Sequence, residues 1–371
     1  MSSDQSSVIS QRFRGRLGVQ QRVLPNYRAP FFEMLAGSCE GGMSLLAGLP
    51  RLSEGITPAA ELRNTQYAPA NNIHLFSGPF YLCYQQGMID WLEKTNPDAL
   101  IVEANPRYLA TPSAVKWMHA RGRKVIGWGL GAPPLSGPLS GFRQARRAQF
   151  LWQFDALIAY SQRGAEEYAA LGFPREKIFV AMNAVAPRPT QKTDHGPRTA
   201  DHVSILFVGR LQARKRVDWL LRACAEMDAK PRLVIVGEGA ERAALESLAR
   251  EVYPAAEFAG AKHGAELKPY FAEADLFVLP GTGGLAVQEA MAHGLPVIVA
   301  KGDGTQDDLV RAGNGWQIPP EDFDALVRTM RDALSDVSRL RRMGDESFRI
   351  VSEEINLEAM AATFVRTLRA V

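Results

Sequence analysis

The sequence predicts an α/β protein built as two parallel-sheet domains facing a cleft. Three observations carry that expectation. Apolar, β-rich runs alternate with helical patterns almost from end to end. A length of 371 residues exceeds what one ordinary core organises. A polar stretch holding three prolines, "APRPTQKTDHGPRTADH" at 186–202, interrupts the rhythm near the middle. The expected divisions are a flexible tail over 1–16, a first domain over 17–185, a linker over 186–202 and a second domain over 203–356.

Strands in the first half are expected at "LGVQQRV" (17–23), "MSLLAG" (43–48), "NIHLF" (72–76), "DALIVE" (98–103), "KVIGW" (124–128), "DALIAY" (155–160) and "KIFVA" (177–181). Helical patterns fall between most of them, such as "SAVKWMHARG" and "QRGAEEYAALG", the second closed by Gly172. After the linker a second series follows: "VSILFVG", "PRLVIVG", "AEFAG", "ADLFVLP" and "LPVIVA", again with helices between. Helical patterns then run from Pro320 to an amphipathic close, "LEAMAATFVRTLRAV".

Bulk chemistry narrows the class. With 43 basic against 40 acidic residues, the charge is too balanced for nucleic acid to be the main partner. Cys39, Cys83 and Cys224 lie far apart and match no metal spacing, which suits buried thiols in a reducing compartment. The opening "MSSDQSSVISQRFRGR" holds no apolar core for a signal peptide, and no run of about 18 apolar residues occurs. A cytoplasmic location is expected. The basic segment "GFRQARRAQFLW" (141–152) reads as a solvated helix face, or else as a peripheral contact with anionic lipid at the inner face of a membrane.

Ligands of open α/β sheets sit outside the carboxyl ends of the strands, so the loops that follow strands matter most. "PGTGGLAVQEAMAHGLPVIVA" (280–300) sets Gly281, Gly283 and Gly284 before a helix with no side chain to cap it. Either an anion meets those bare amides or a tight turn leaves them to water. After "ILFVG" come Arg210 and Lys215, five residues apart, a pairing that suits a diphosphate. After "LVIVG", Gly237 and Gly239 make a second glycine turn. Glu289 stands about a turn and a half into the third loop's helix, where a carboxylate can grip a diol. "DFD" at 322–324 resembles a metal-binding triplet, but it follows "PPE" at a helix start, where acids cap. In the first half, Tyr27 and Arg28 follow the first strand and Glu103 ends the strand "DALIVE". These three are acceptor-side candidates.

Taken together, "FVGRLQARKRVDWLLRA", "RLVIVGEGAERAALESLA", "AEFAGA", "PYFAEADLFVLPG", "GLAVQEAMAHGLPVI" and "DLVRAGNGWQIPPEDFDAL" resemble, block by block, the donor domain of retaining glycosyltransferases of family 4, also called group 1, which have the two-domain GT-B fold. The first half is similar chiefly through "FDALIAYSQRGAEEYAALGFPREKIFVAMNAV" and "VLPNYRAPFFEMLA". The resemblance implies a metal-independent, retaining transferase of the hexosyltransferase type. It would use a nucleotide-diphosphate sugar, UDP-sugar favoured, as co-substrate, with no further cofactor. The acceptor would be a glycan, a glycolipid or a small molecule.

Position by position, the resemblance implies that Arg210 and Lys215 bind the diphosphate and act as the catalytic charges. The amides of Gly284, Leu285 and Ala286 would meet the distal phosphate, Gly283 would belong to the donor site, and Glu289 would bind the ribose. Gly209 and Gly237 would line the donor site, and Gly260 and Ala261, after Phe258, would hold the base. The closing helix, 357–371, would return to the first domain. Two positions depart from the family: Gly281 stands where a second glutamate is usual, and Leu130 where many members carry a histidine. A catalytically reduced partner or binding subunit is therefore the alternative within the fold. A nicotinamide-dependent oxidoreductase is the alternative from another class, disfavoured because neither half shows G-x-G-x-x-G after its first strand.

Overall fold

The computed structural model describes residues 12–51, 54–59, 62–196, 203–302 and 304–371. They form two compact units. One comprises residues up to Val185 together with Leu357–Val371, and the other Ala186–Asn356.

The first unit carries an eight-stranded sheet. Its strands are β1 (Leu17–Val23), β2 (Met43–Gly48), β3 (Gln66–Leu75), β4 (Leu82–Gln86), β5 (Ala99–Glu103), β6 (Lys124–Gly129), β7 (Ala156–Ala159) and β8 (Ile178–Val180). They lie in the order β4-β3-β2-β1-β5-β6-β7-β8. All neighbours are parallel except β3 and β4, which pair antiparallel. The expected strand at 72–76 is thus the end of a ten-residue strand, and β4 lies in a stretch with no expected strand. Both strands mix polar and aromatic side chains, which blurs the alternation that marks a half-buried strand.

Strands β5, β6 and β7 are mostly apolar and β1 is buried along most of its length, as parallel strands under helices require. Helix α1 (Ala29–Gly37) packs on the closing helix, α13 (Leu357–Ala370). Phe364 of α13 sits among aromatic rings, with centroids 4.9 Å from Phe31 and 5.0 Å from Trp128. The amphipathic tail of the sequence is therefore a core element of the first unit.

The second unit has six parallel strands: β9 (Ser204–Val208), β10 (Arg232–Val236), β11 (Glu257–Gly260), β12 (Leu276–Leu279), β13 (Val297–Ala300) and β14 (Gly315–Ile318). Their order is β11-β10-β9-β12-β13-β14. The sheet grows outward from β9 in one direction and then resumes at β12 in the other. The order reverses between β9 and β12, the switch point at which α/β sheets open a crevice. Strand β14 lies beyond the five expected strands. Asp322 caps α11 (Phe323–Leu334) by accepting the Ala325 N–H at 2.8 Å, so the first acid of "DFD" serves the helix start.

The stretch expected as a linker behaves differently over its described part. Ala186 N donates to Gln288 Oε1 at 3.1 Å, Lys192 pairs with Asp345, and Thr193 Oγ1 meets His293 Nδ1 at 2.7 Å. His195 lies 3.1 Å from the Ala272 carbonyl and 2.8 Å from that of His293. Residues 186–196 are thus strapped onto the second unit. Proline and polar composition marked an irregular segment, and side-chain hydrogen bonds fasten it. Residues 197–202 of the expected linker and 1–11 of the expected tail lie outside the described residues.

Among the described residues no helix is long and apolar enough to cross a membrane. Helix α4 (Ser140–Leu151) buries Phe150 and Leu151 and exposes Phe142, Arg143 and Arg146, with Leu139 exposed just before it.

Candidate functional site

The second unit's switch point brings two loops together. The loop after β9 carries Gly209 and an exposed Arg210, then a short 3-10 turn over Ala213–Lys215. The loop after β12 carries Gly281 to Gly284 and leads into α9 (Ala286–Ala292).

Backbone and side chains lock the two loops. Thr282 N donates to the Arg214 carbonyl at 3.0 Å. Lys215, only 5% exposed, donates from Nζ to the Thr282 carbonyl at 3.0 Å and also to that of Gly283. Arg214 Nη1 donates to the same Thr282 carbonyl at 3.0 Å. Burying an ammonium is costly unless it is hydrogen-bonded, and these carbonyls supply that compensation. Lys215 Nζ lies 3.6 Å from where a Cβ of Gly284 would stand. The structure therefore brings Lys215, Gly283 and Gly284 together, with Arg210 exposed on the same loop as Lys215.

Glycine at 281 is a geometric requirement. A Cβ there would sit 2.1 Å from the Arg214 carbonyl oxygen and 2.5 Å from the Lys215 Cα. The crossing backbone occupies the space that a glutamate side chain would need.

Helix α9 starts at an N-cap, Leu285, that makes no side-chain capping bond, so its start is bare. Glu289 is half-buried on this helix, and no described residue donates a hydrogen bond to its carboxylate. Burial pushes that carboxyl above the usual range. The other glycines line the carboxyl ends of β9, β10 and β11. Gly209 N donates to Val236 O at 3.0 Å and Gly237 N to Gly260 O at 2.9 Å. Gly237 has φ +150°, and a Cβ there would lie 1.9 Å from the Gly209 carbonyl oxygen. Only glycine permits that approach. Gly260 also has positive φ, +73°, and the exposed Ala261 follows it.

The first unit has its own switch point, between β1 and β5. The Glu103 carboxylate at the end of β5 accepts the Arg22 N–H of β1, and Glu103 N donates to Gln20 Oε1 at 3.1 Å. Gln20 and Gln21 are buried polar residues inside β1. Gln20 Nε2 donates to Gln85 Oε1 at 2.8 Å, and Gln85 Nε2 donates to Asn72 Oδ1 at 3.0 Å. This polar network was not anticipated, although the "QQ" inside an apolar strand is its sequence trace.

Burial raises the Glu103 carboxyl to about 7, against the pull of the Arg22 N–H and the charges of Arg22 and Arg28. The folded state then holds a proton that the unfolded chain releases near its ordinary value of 4.5. Stability of the first unit should fall as pH rises from about 4.5 to about 7, and level off above. Urea midpoints at pH 5 and pH 8 should differ less in Glu103→Gln than in the parent.

Tyr27 is half exposed, but Arg28 is not available to a ligand. It is 7% exposed, donates to the Ala184 carbonyl at 3.2 Å and to Asn183, and lies 5.6 Å from the Trp128 ring centroid. Expected as an acceptor-side contact, Arg28 is a core cation boxed by aromatic rings and carbonyls. Its place after the strand was legible; its inward direction depends on residues 183–184, far away in sequence. Leu130, after β6, is exposed.

Two Rossmann-like sheets define the GT-B fold. Residues 202–336, most of the second unit, match the family model described as glycosyl transferases group 1. Curated relatives include a GDP-mannose-dependent alpha-mannosyltransferase of Mycobacterium tuberculosis, 34% identical over 197 residues covering 50% of each chain. Another is a putative colanic acid biosynthesis glycosyltransferase of Escherichia coli, 28% identical over 195 residues and covering 47% of each chain. The chain spans about half the length of these relatives. Among solved structures, the lipopolysaccharide outer core galactosyltransferase WaaB superposes with a TM-score of 0.70 at 16% identity, over 95% of this chain and 99% of the other. Anabaena HepE, solved with UDP, gives 0.68 at 16% identity over 96% and 100%.

Proposed function

We propose that the chain is a glycosyltransferase that moves a sugar from a nucleotide-diphosphate donor to an acceptor hydroxyl, with retention and without a metal ion. The observation that carries this reading is the lock between Lys215 and the Gly281–Gly284 loop at the second unit's switch point. It fixes a cation beside glycine amides and a bare helix start, on the same loop as Arg210.

When the nucleoside diphosphate leaves, negative charge grows on its distal phosphate. Arg210 and Lys215 act there as prearranged charges that need no solvent reorganisation. The amides of Gly284, Leu285 and Ala286 add donors to the same phosphate, with Gly283 in the donor site beside them. Glu289, whose carboxylate no described residue bonds, takes the ribose hydroxyls. Gly209, Gly237, Gly260 and Ala261 leave backbone room for the base end of the nucleotide. UDP is the nucleotide we favour, and GDP is the one in the mycobacterial relative's name. Glu103 and Tyr27 serve the acceptor side. A glycan, glycolipid or small-molecule hydroxyl fits this scheme, with α4 as a peripheral contact to anionic lipid.

Calorimetric titration of the full chain with UDP and GDP tests the proposal, followed by turnover of their sugars with and without EDTA. Micromolar binding of one diphosphate and EDTA-insensitive turnover are expected. Failure of both diphosphates to bind would discard the reading. Glu289→Gln should weaken binding of the nucleotide about tenfold, whereas a solvated helix residue would change nothing.

A further inference from the structure

Arg214 was not among the anticipated residues, yet the structure sets it at the centre of the locked loops. It is exposed, and two neutral acceptors hold it: Nε donates to Gln212 Oε1 at 3.2 Å and Nη1 to the Thr282 carbonyl at 3.0 Å. Nη1 stands 3.3 Å from where a Cβ of Gly283 would be, so the guanidinium lies against that glycine. Among the described residues no carboxylate pairs with Arg214. Its neighbour Arg216 differs, pairing with Glu321 at 2.9 Å and Asp218 at 3.2 Å. Arg232 is paired likewise, with Glu257 and Glu273. Arg214 is thus oriented like a binding group and keeps its charge unbalanced. A guanidinium offers five N–H donors in a planar fork that matches a carboxylate, and here only two are spent on the fold.

The following inference rests on the donor site proposed above. In that scheme the nucleotide runs from a base near Gly260 to a ribose at Glu289 and a distal phosphate at Gly284. The group bonded to that phosphate is the sugar. The residues next in line are Gly283, Thr282 and Arg214. No acid stands among residues 281–284, and the crossing backbone leaves Gly281 no room for one. Sugar hydroxyls both donate and accept, so mixed polar groups serve a neutral sugar, whereas a guanidinium fork with no carboxylate partner is matched best by a carboxylate. We propose that the donor sugar carries a carboxylate, as in the uronic acid class, and that Arg214 is the specificity-determining residue that reads it.

The test compares one nucleoside diphosphate, its hexose ester and the corresponding hexuronate ester, by calorimetric titration of the parent, Arg214→Ala and Arg214→Lys. The parent should bind the hexuronate donor at least tenfold tighter than the hexose donor. Arg214→Ala should bring that ratio close to one, losing more affinity for the hexuronate donor than for the bare diphosphate, and Arg214→Lys should keep part of it. Equal binding of the two sugars by the parent would overturn the inference. So would an Arg214→Ala loss as large for the bare diphosphate as for the hexuronate, which would make Arg214 a phosphate ligand. If no diphosphate binds the parent, the donor site itself fails, and this inference with it.

Discussion

Lys215→Ala is expected to lower turnover by a factor of about 10²–10³, the size measured when one preorganised donor to a developing anion is removed, or about 3–4 kcal/mol. The structure adds a second route to the same loss. Lys215 ties together the carbonyls of Thr282 and Gly283, so its removal also frees the loop that presents the glycine amides. The two routes separate experimentally. Loss of charge alone lowers kcat, whereas a loosened loop also raises KM for the donor. Arg210 is exposed on the loop after β9, and Arg210→Ala should lower kcat through loss of its charge. Steady-state kinetics on both variants, with melting temperatures as a control for folding, decides the matter. Unchanged turnover in both would remove Lys215 and Arg210 from the chemistry.

Gly281→Glu, which installs the residue common in the family, is expected to inactivate rather than to restore. Its Cβ would lie 2.1 Å from the Arg214 carbonyl oxygen and 2.5 Å from the Lys215 Cα. Backbone cannot rotate aside as a flexible side chain can, so the two loops must separate. Overpacking of this kind costs about 1–3 kcal/mol, and more where backbone is the obstacle. Gly281→Ala should already lower the melting temperature and abolish nucleoside diphosphate binding, because the Thr282 N–H to Arg214 bond is broken with the lock. A Gly281→Ala protein that melts and binds like the parent would show that the crossing is looser than described. Glycine at 281 then marks a particular loop packing and not merely a missing carboxylate.

Much of this was readable beforehand, for physical reasons that can be named. Strands such as β5 and β13 are short apolar runs bounded by polar or glycine residues, and burial on both faces leaves them little alternative. The glycines at 237 and 281 announced tight backbone, but not what pressed on them. In both cases the obstacle is a loop after β9, and strand pairing brings it there. For the same reason Arg214 went unremarked: nothing in "LQARKR" distinguishes it from Arg216, and only the positions of Thr282 and Glu321 tell the two apart. The strap at 186–196 misled because prolines and polar residues suit both a free connector and one fastened by side chains. Strand β4 was hidden by its own composition, with Tyr84, Gln85 and Gln86 reading as surface.

The placement of α13 has a consequence for how the molecule is made. Ribosomes deliver the chain in sequence order, and the first unit's aromatic cluster lacks Phe364 until α13 emerges. The second unit, contiguous over 186–356, has all its strands long before that moment. The later-encoded half can therefore mature first, while Phe31 and Trp128 await their missing neighbour. A nascent chain stalled before residue 357 would present those rings to chaperones instead of to Phe364.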